Sequence, residues 1–119
     1  MAAHNELGKA GEQLAFDYLI GKGYRIMERN WRYQKGEVDI IAQKGAVLAI
    51  VEVKTRSTRF FGDPQDFINS KKIKLLTSAI DAYVNNQDLN VEVRFDVIGI
   101  ISQGTSHEIV HFEDAFYHF

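Results

Sequence analysis

Apolar positions recur at two spacings along this chain, and the switch between them outlines its elements. From Asn5 to Gly21 the spacing is helical, with Glu6, Lys9, Gln13 and Asp17 gathered in one polar sector. Glu12 falls outside that sector, on the flank of Ala15, Phe16 and Leu19 that should pack on a sheet. Tyr24–Tyr33 and Glu37–Gln43 read as strands, and Lys44-Gly45 turns the chain into a third, Ala46–Thr55. Asp63-Pro64 opens an irregular stretch. Asn69 or Ser70 then caps a helix to about Asn86 that buries Ile73, Leu75, Leu76, Ile80 and Val84. Val91–Ile101 is a fourth strand and Glu108–Phe112 a fifth. The order α-β-β-β-α-β-β predicts an α/β fold, a mixed sheet flanked by helices. At 119 residues the chain is expected to form a single domain, 1–119.

Charges interrupt two of these apolar strands. Alternation along the third strand sends Leu48, Ile50, Glu52 and Lys54 to one face and Val47, Ala49, Val51 and Val53 to the other. In the second strand, Glu37, Asp39 and Ile41 should share a face opposite Val38, Ile40 and Ala42. Glu52 and Lys54 then lie about 6–7 Å apart along their strand, and the hairpin brings Asp39 beside them. Carboxylates are rarely buried unless they are paired or bind a metal. The bland reading is a salt-bridged strand end, with Lys54 neutralising Glu52 or Asp39. The sharper one is a site for Mg2+ or Mn2+, hard cations that take oxygen ligands and retain exchangeable waters. Asp39 and Glu52 would be ligands, with the Val53 carbonyl as a third. Lys54 would orient or acidify an attacking water, and Glu12 would hold a metal-bound water or a second ion.

Composition narrows the setting. The chain is 45% hydrophobic and 25% charged, ordinary for a globular protein, and contains no cysteine. Disulfides, thiolate zinc and cysteine nucleophiles are therefore excluded. No apolar run approaches a membrane span, and the first residues lack a basic-then-apolar signal, so a cytoplasmic protein is expected. The net charge of −2 is unevenly spread. Lys54 to Lys74 carries six basic and two acidic residues, whereas residues 81–119 carry one basic and seven acidic. The basic stretch makes Arg56, Arg59, Lys71 and Lys72 candidate phosphate contacts, against the plainer reading of a solvated face.

Five segments in order carry a resemblance over nearly the whole chain. They are Gly8-Lys9-Ala10-Gly11-Glu12, Arg29-Asn30-Trp31-Arg32, Gly36-Glu37-Val38-Asp39-Ile40-Ile41-Ala42, Val51-Glu52-Val53-Lys54-Thr55-Arg56 and Arg94-Phe95-Asp96-Val97. Asp39 followed thirteen residues later by Glu52-Val53-Lys54, with Glu12 on the preceding helix, resembles the PD-(D/E)-x-K nuclease superfamily. Within it the likeness is nearest to archaeal Holliday junction resolvases, and the chain as a whole is similar to the YraN-like family. The resemblance implies a restriction-endonuclease-like fold and a role in DNA metabolism. By position, Asp39 and Glu52 match the metal-binding acids, Lys54 the catalytic lysine and Glu12 the helical acid. Val38 stands where the superfamily name has proline.

Other residues have plainer readings. Arg29, Trp31, Arg32, Tyr33 and Lys35 interleave bases with aromatics, as nucleic-acid surfaces do. A strand with Trp31 packed inward is the preferred account. Phe60 and Phe61 would either wedge into DNA or anchor their loop. Arg94 and Asp96 share a strand face and should form a buried pair. His4, His107, His111 and His118 lack ligand spacing and read as surface or terminal residues. The aromatic tail from Glu108 onward should close the core or meet another subunit.

These observations yield two expectations. One is a metal-dependent endonuclease acting on branched or structured DNA, with a homodimer presenting two sites. The other is a non-catalytic module that binds nucleic acid or protein on a nuclease fold.

Overall fold

The computed structural model describes residues 2–56, 70–87 and 90–115. It confirms the α/β class and the α-β-β-β-α-β-β order. The elements are α1 (Ala2–Gly21), β1 (Arg25–Tyr33), β2 (Gly36–Lys44), β3 (Val47–Arg56), α2 (Ser70–Gln87), β4 (Glu92–Gln103) and β5 (Ser106–Phe112). No described helix is long and apolar enough to cross a membrane.

The five strands lie side by side in chain order. Three pairings are antiparallel, and β3 runs parallel to β4 because α2 carries the chain back across the sheet. Each face is apolar and covered by one helix. Ala15 and Leu19 of α1 pack with Ile40, Ala42, Ala49, Val51, Ile98 and Ile100. On the opposite face Leu76, Ile80 and Tyr83 of α2 pack with Val38, Ile41, Leu48, Ile50 and Val97. Helical period on the helices and period two on β3 and β4 thus converge on two thin apolar layers.

Trp31 resolves as the plainer reading has it. It is half-buried, with its ring edge-on to Tyr83 at 5.2 Å between centroids. Tyr83 itself is buried, a core position that the apolar count of α2 overlooks. Its hydroxyl donates to Glu28 at 3.4 Å, so a polar tip can end this side chain inside the layer.

The strict alternation expected of β2 fails at one place. Val38 packs with Ile41 on the α2 side, whereas Ile40 and Ala42 pack on the α1 side. The switch falls at Asp39. The partner register sets Asn30 of β1 opposite Asp39, between the Arg29–Ile40 and Trp31–Val38 pairs, and Asn30 has a φ of 50°. A left-handed residue bends β1 at that level, and asparagine tolerates the conformation better than most. The β2–β3 pairing stops just short of Asp39, at Ile40–Val51.

Candidate active site at the β2–β3 divergence

Where β2 and β3 part, a side chain takes over from the ladder. The main-chain N–H of Val53 donates to Asp39 Oδ2 at 2.8 Å. This bond fixes the carboxylate against β3 and leaves Oδ1 without a donor among the described residues. Asp39 is pushed up to about 7. Burial is the largest cause, followed by the neighbouring negative charge of Glu52. The Val53 bond and Lys72 pull the other way, and Glu12 adds a further push upward. Acids from three elements therefore bear on Asp39 here.

Glu52 is only 7% exposed and points to the α2 face, in line with Leu48 and Ile50. Lys72 of α2 reaches it, with Nζ 2.9 Å from Oε1. The expected salt bridge exists, but its cation comes from the helix and not from Lys54. Period two sends Lys54 to the same face as Glu52, half-buried, with no ion-pair partner among the described residues.

Glu12 reaches this region because α1 sits close on β3. A Cβ on Gly11 would collide with Oγ1 of Thr55, so only glycine allows this approach of helix to strand. Arg56 is exposed at the end of β3, with a guanidinium nitrogen 3.1 Å from the Thr55 carbonyl. Lys71 is exposed on α2. Arg59, Phe60 and Phe61 lie outside the described residues. The structure thus gathers Asp39, Glu52 and Val53 directly and sets Glu12 within electrostatic reach. Lys72 is drawn inward to an acid, where the sequence reading had it facing phosphate.

The model of the uncharacterised protein family UPF0102 matches residues 11–100, a span holding all these groups. The chain belongs to the UPF0102 family. It is 56% identical over its full length to the UPF0102 protein FP2501 of Flavobacterium psychrophilum, covering all of that protein. The UPF0102 protein of Bacteroides thetaiotaomicron is 48% identical, over 98% of this chain and 97% of its own. A structure of Pyrococcus furiosus SfsA in complex with Ca2+ is similar at 18% identity and a TM-score of 0.36. That match covers 92% of this chain and 63% of SfsA.

The donors in this UPF0102 chain are all oxygen, which fits a hard divalent cation. The strongest sign of fit is Asp39 Oδ1, which accepts no bond among the described residues while Oδ2 is held by the Val53 N–H beside the nearly buried Glu52. Among the described residues no three acid or histidine side chains come close enough to hold an ion unaided. A carbonyl such as that of Val53, water and substrate oxygens would complete the ligand set.

On the α1 face, one strand over, lies a cluster that the UPF0102 sequence only half discloses. Asp96 is fully buried and accepts two bonds from Arg94, each 2.9 Å, as the expected pair. It also bonds His111 Nε2 at 2.8 Å and the Asp114 N–H at 3.1 Å. His111 Nδ1 meets the Tyr18 hydroxyl at 3.1 Å, and Arg94 donates to the Tyr24 hydroxyl. His111 is consequently no surface residue: its side chain is 8% exposed. Spacing between histidines gave no hint of it. The usable signal was its place on a strand neighbouring one that carries a buried acid.

Proposed function

We propose that this chain is a Mg2+- or Mn2+-dependent endonuclease of the restriction-endonuclease-like, PD-(D/E)-x-K type, hydrolysing phosphodiester bonds in branched or structured DNA. One observation carries the reading: Asp39 and Glu52, from two diverging strands, converge in a desolvated setting with Lys54 on the Glu52 face. In this reading Asp39, through Oδ1, and Glu52 hold the cation with the Val53 carbonyl, and Glu12 acts through water. When bound, the cation polarises the phosphodiester and offsets charge developing on its oxygens. Lys54 orients the attacking water and favours its deprotonated form by its own charge. The Val53 N–H keeps Asp39 from rotating away. Arg56 and Lys71 contact backbone phosphates without reading bases. A cytoplasmic setting and a homodimer presenting two sites belong to the same proposal.

The second reading is a non-catalytic binding module, and the Lys72–Glu52 pair favours it, because an ammonium already neutralises the acid a metal would need. A panel of linear, flapped, forked and four-way DNA, incubated with and without Mn2+, separates the two. The nuclease reading expects metal-dependent cleavage that Glu52→Ala abolishes. Cleavage that persists in purified Glu52→Ala protein, or none by wild type on any substrate, overturns it.

A further inference from the structure

A groove of about 370 Å³ opens between the β1–β2 turn and α2, beside the acid pair. Three of its lining residues are cationic: Lys35 from the turn, and Lys71 and Lys72 from α2. Its apolar floor is formed by Leu75 and Leu76. The two walls stand close because Gly36 carries no side chain; a Cβ there would press on the Leu75 carbonyl at 3.1 Å. Glu37 is the one acid in the lining, and Arg32 already pairs with it at 3.2 Å. Lys35 and Lys71 are exposed and have no ion-pair partner among the described residues. The groove therefore presents two ammonium groups, Lys35 and Lys71, that no acid among the described residues neutralises, with the paired Lys72 between them and the acid site.

We infer that this groove is a phosphate subsite for the nucleic-acid strand whose scissile linkage lies at Asp39 and Glu52, an inference that rests on the nuclease reading. Charge decides the occupant, since a polyanion meets the two unpaired ammoniums of Lys35 and Lys71, while Lys72 is matched by Glu52 and Glu37 by Arg32. Form decides its kind. An open trough with an apolar floor suits a backbone lying along it, with phosphate at the rim and sugar over Leu75 and Leu76. Lys72 joins the two regions, because it lines the groove and its Nζ contacts Glu52. Lys35 has no role in the chemistry; its part is to hold substrate.

Binding is measured apart from cutting, by fluorescence anisotropy of the whole chain with a labelled four-way DNA in EDTA, over a series of KCl concentrations. The Lys35→Ala/Lys71→Ala double variant is compared with wild type and with Lys22→Ala/Lys44→Ala, in the turn after α1 and at the far end of β2. Removing two phosphate contacts lowers the slope of log affinity against log salt by roughly 1.5–2. Affinity at moderate salt should fall about tenfold or more, while the distal pair changes little. Equal losses in both double variants, or an unchanged slope with Lys35 and Lys71 removed, would overturn the subsite. Thermal melting of each variant shows that the fold persists. Asp39→Asn separates the two ideas, because it should abolish cleavage yet bind with the wild-type slope. A wild type that binds with the groove's salt dependence but never cuts sinks the nuclease reading and, with it, the link to a scissile phosphate, leaving only a phosphate-binding groove.

Discussion

Lys72 Nζ lies 2.9 Å from Glu52 Oε1, so the nearly buried acid of β3 is neutralised across the layer from α2. A lysine in that position competes with any cation the acid could hold. Lys72→Met should lower the melting temperature in EDTA modestly, since the lysine is 40% exposed and such a pair is worth about 1 kcal/mol. In millimolar Mn2+ the variant should gain more stability than wild type, because the ion no longer displaces an ammonium. Equal Mn2+-induced shifts in the two proteins would show that Lys72 and the metal do not compete.

Asp39 makes stability depend on pH. An unfolded chain ionises this acid near pH 4, whereas the folded chain holds its proton to about 7. The folded state binds more protons across that window, so the contribution of Asp39 to stability falls as pH rises through it. Asp39→Asn keeps an oxygen for the Val53 N–H and removes the charge. It should stabilise the metal-free protein by on the order of 2 kcal/mol at pH 8, with the gain vanishing near pH 4. Chemical denaturation at both pH values checks this. Mn2+ should stabilise wild type and leave Asp39→Asn nearly unchanged.

Asp96 behaves in the opposite sense. Burial alone would raise its carboxyl, but bonds from His111, Arg94 and the Asp114 N–H overcome this and hold it below the usual carboxylate range. Its stabilising contribution is present above the ordinary carboxylate range and is lost as pH falls through the lowered value. Asp96→Ala strands the Arg94 and His111 side chains and should cost about 3 kcal/mol or more, read as a fall in denaturation midpoint at pH 7. A loss under 1 kcal/mol would mean the cluster is solvated in solution.

Gly11 and Gly8 offer a matched contrast on α1. An added methyl at Gly11 meets Thr55, while at Gly8 it meets nothing within 4 Å. Gly8→Ala should stabilise the helix by about 0.5–1 kcal/mol and leave any cleavage rate intact. Gly11→Ala should lift α1 from β3 and withdraw Glu12, lowering cleavage at least tenfold while the protein stays folded. Parallel melting curves and rates on the best substrate of the DNA panel test both.

The extent of legibility follows from where each determinant resides. Strands β3 and β4 and both helices were readable, because alternation and helical period are written in consecutive residues. The break at Asp39 was hidden, since it depends on a left-handed Asn30 in the strand alongside, and asparagine only permits that conformation. Lys72 reads in the sequence as a phosphate contact because the layer that pairs it with Glu52 forms between elements twenty residues apart. His111 needed the β4–β5 register, and no residue near it in the chain announces that pairing. The acids at the divergence can be picked out from residue types and spacing; that Lys72 is the ammonium beside Glu52 depends on packing.

The parallel pairing of β3 with β4 sets Val51 beside Asp96 and Glu52 beside Val97, so neighbouring acids project from opposite sides of the sheet. A one-step slip of β4 would rotate Asp96 away from His111 and the Asp114 N–H and strand it naked among Leu76 and Ile80. That misalignment is penalised heavily. The ionic knot on one side thereby acts as a ratchet stop for the strand, and it keeps the opposite side's geometry in step.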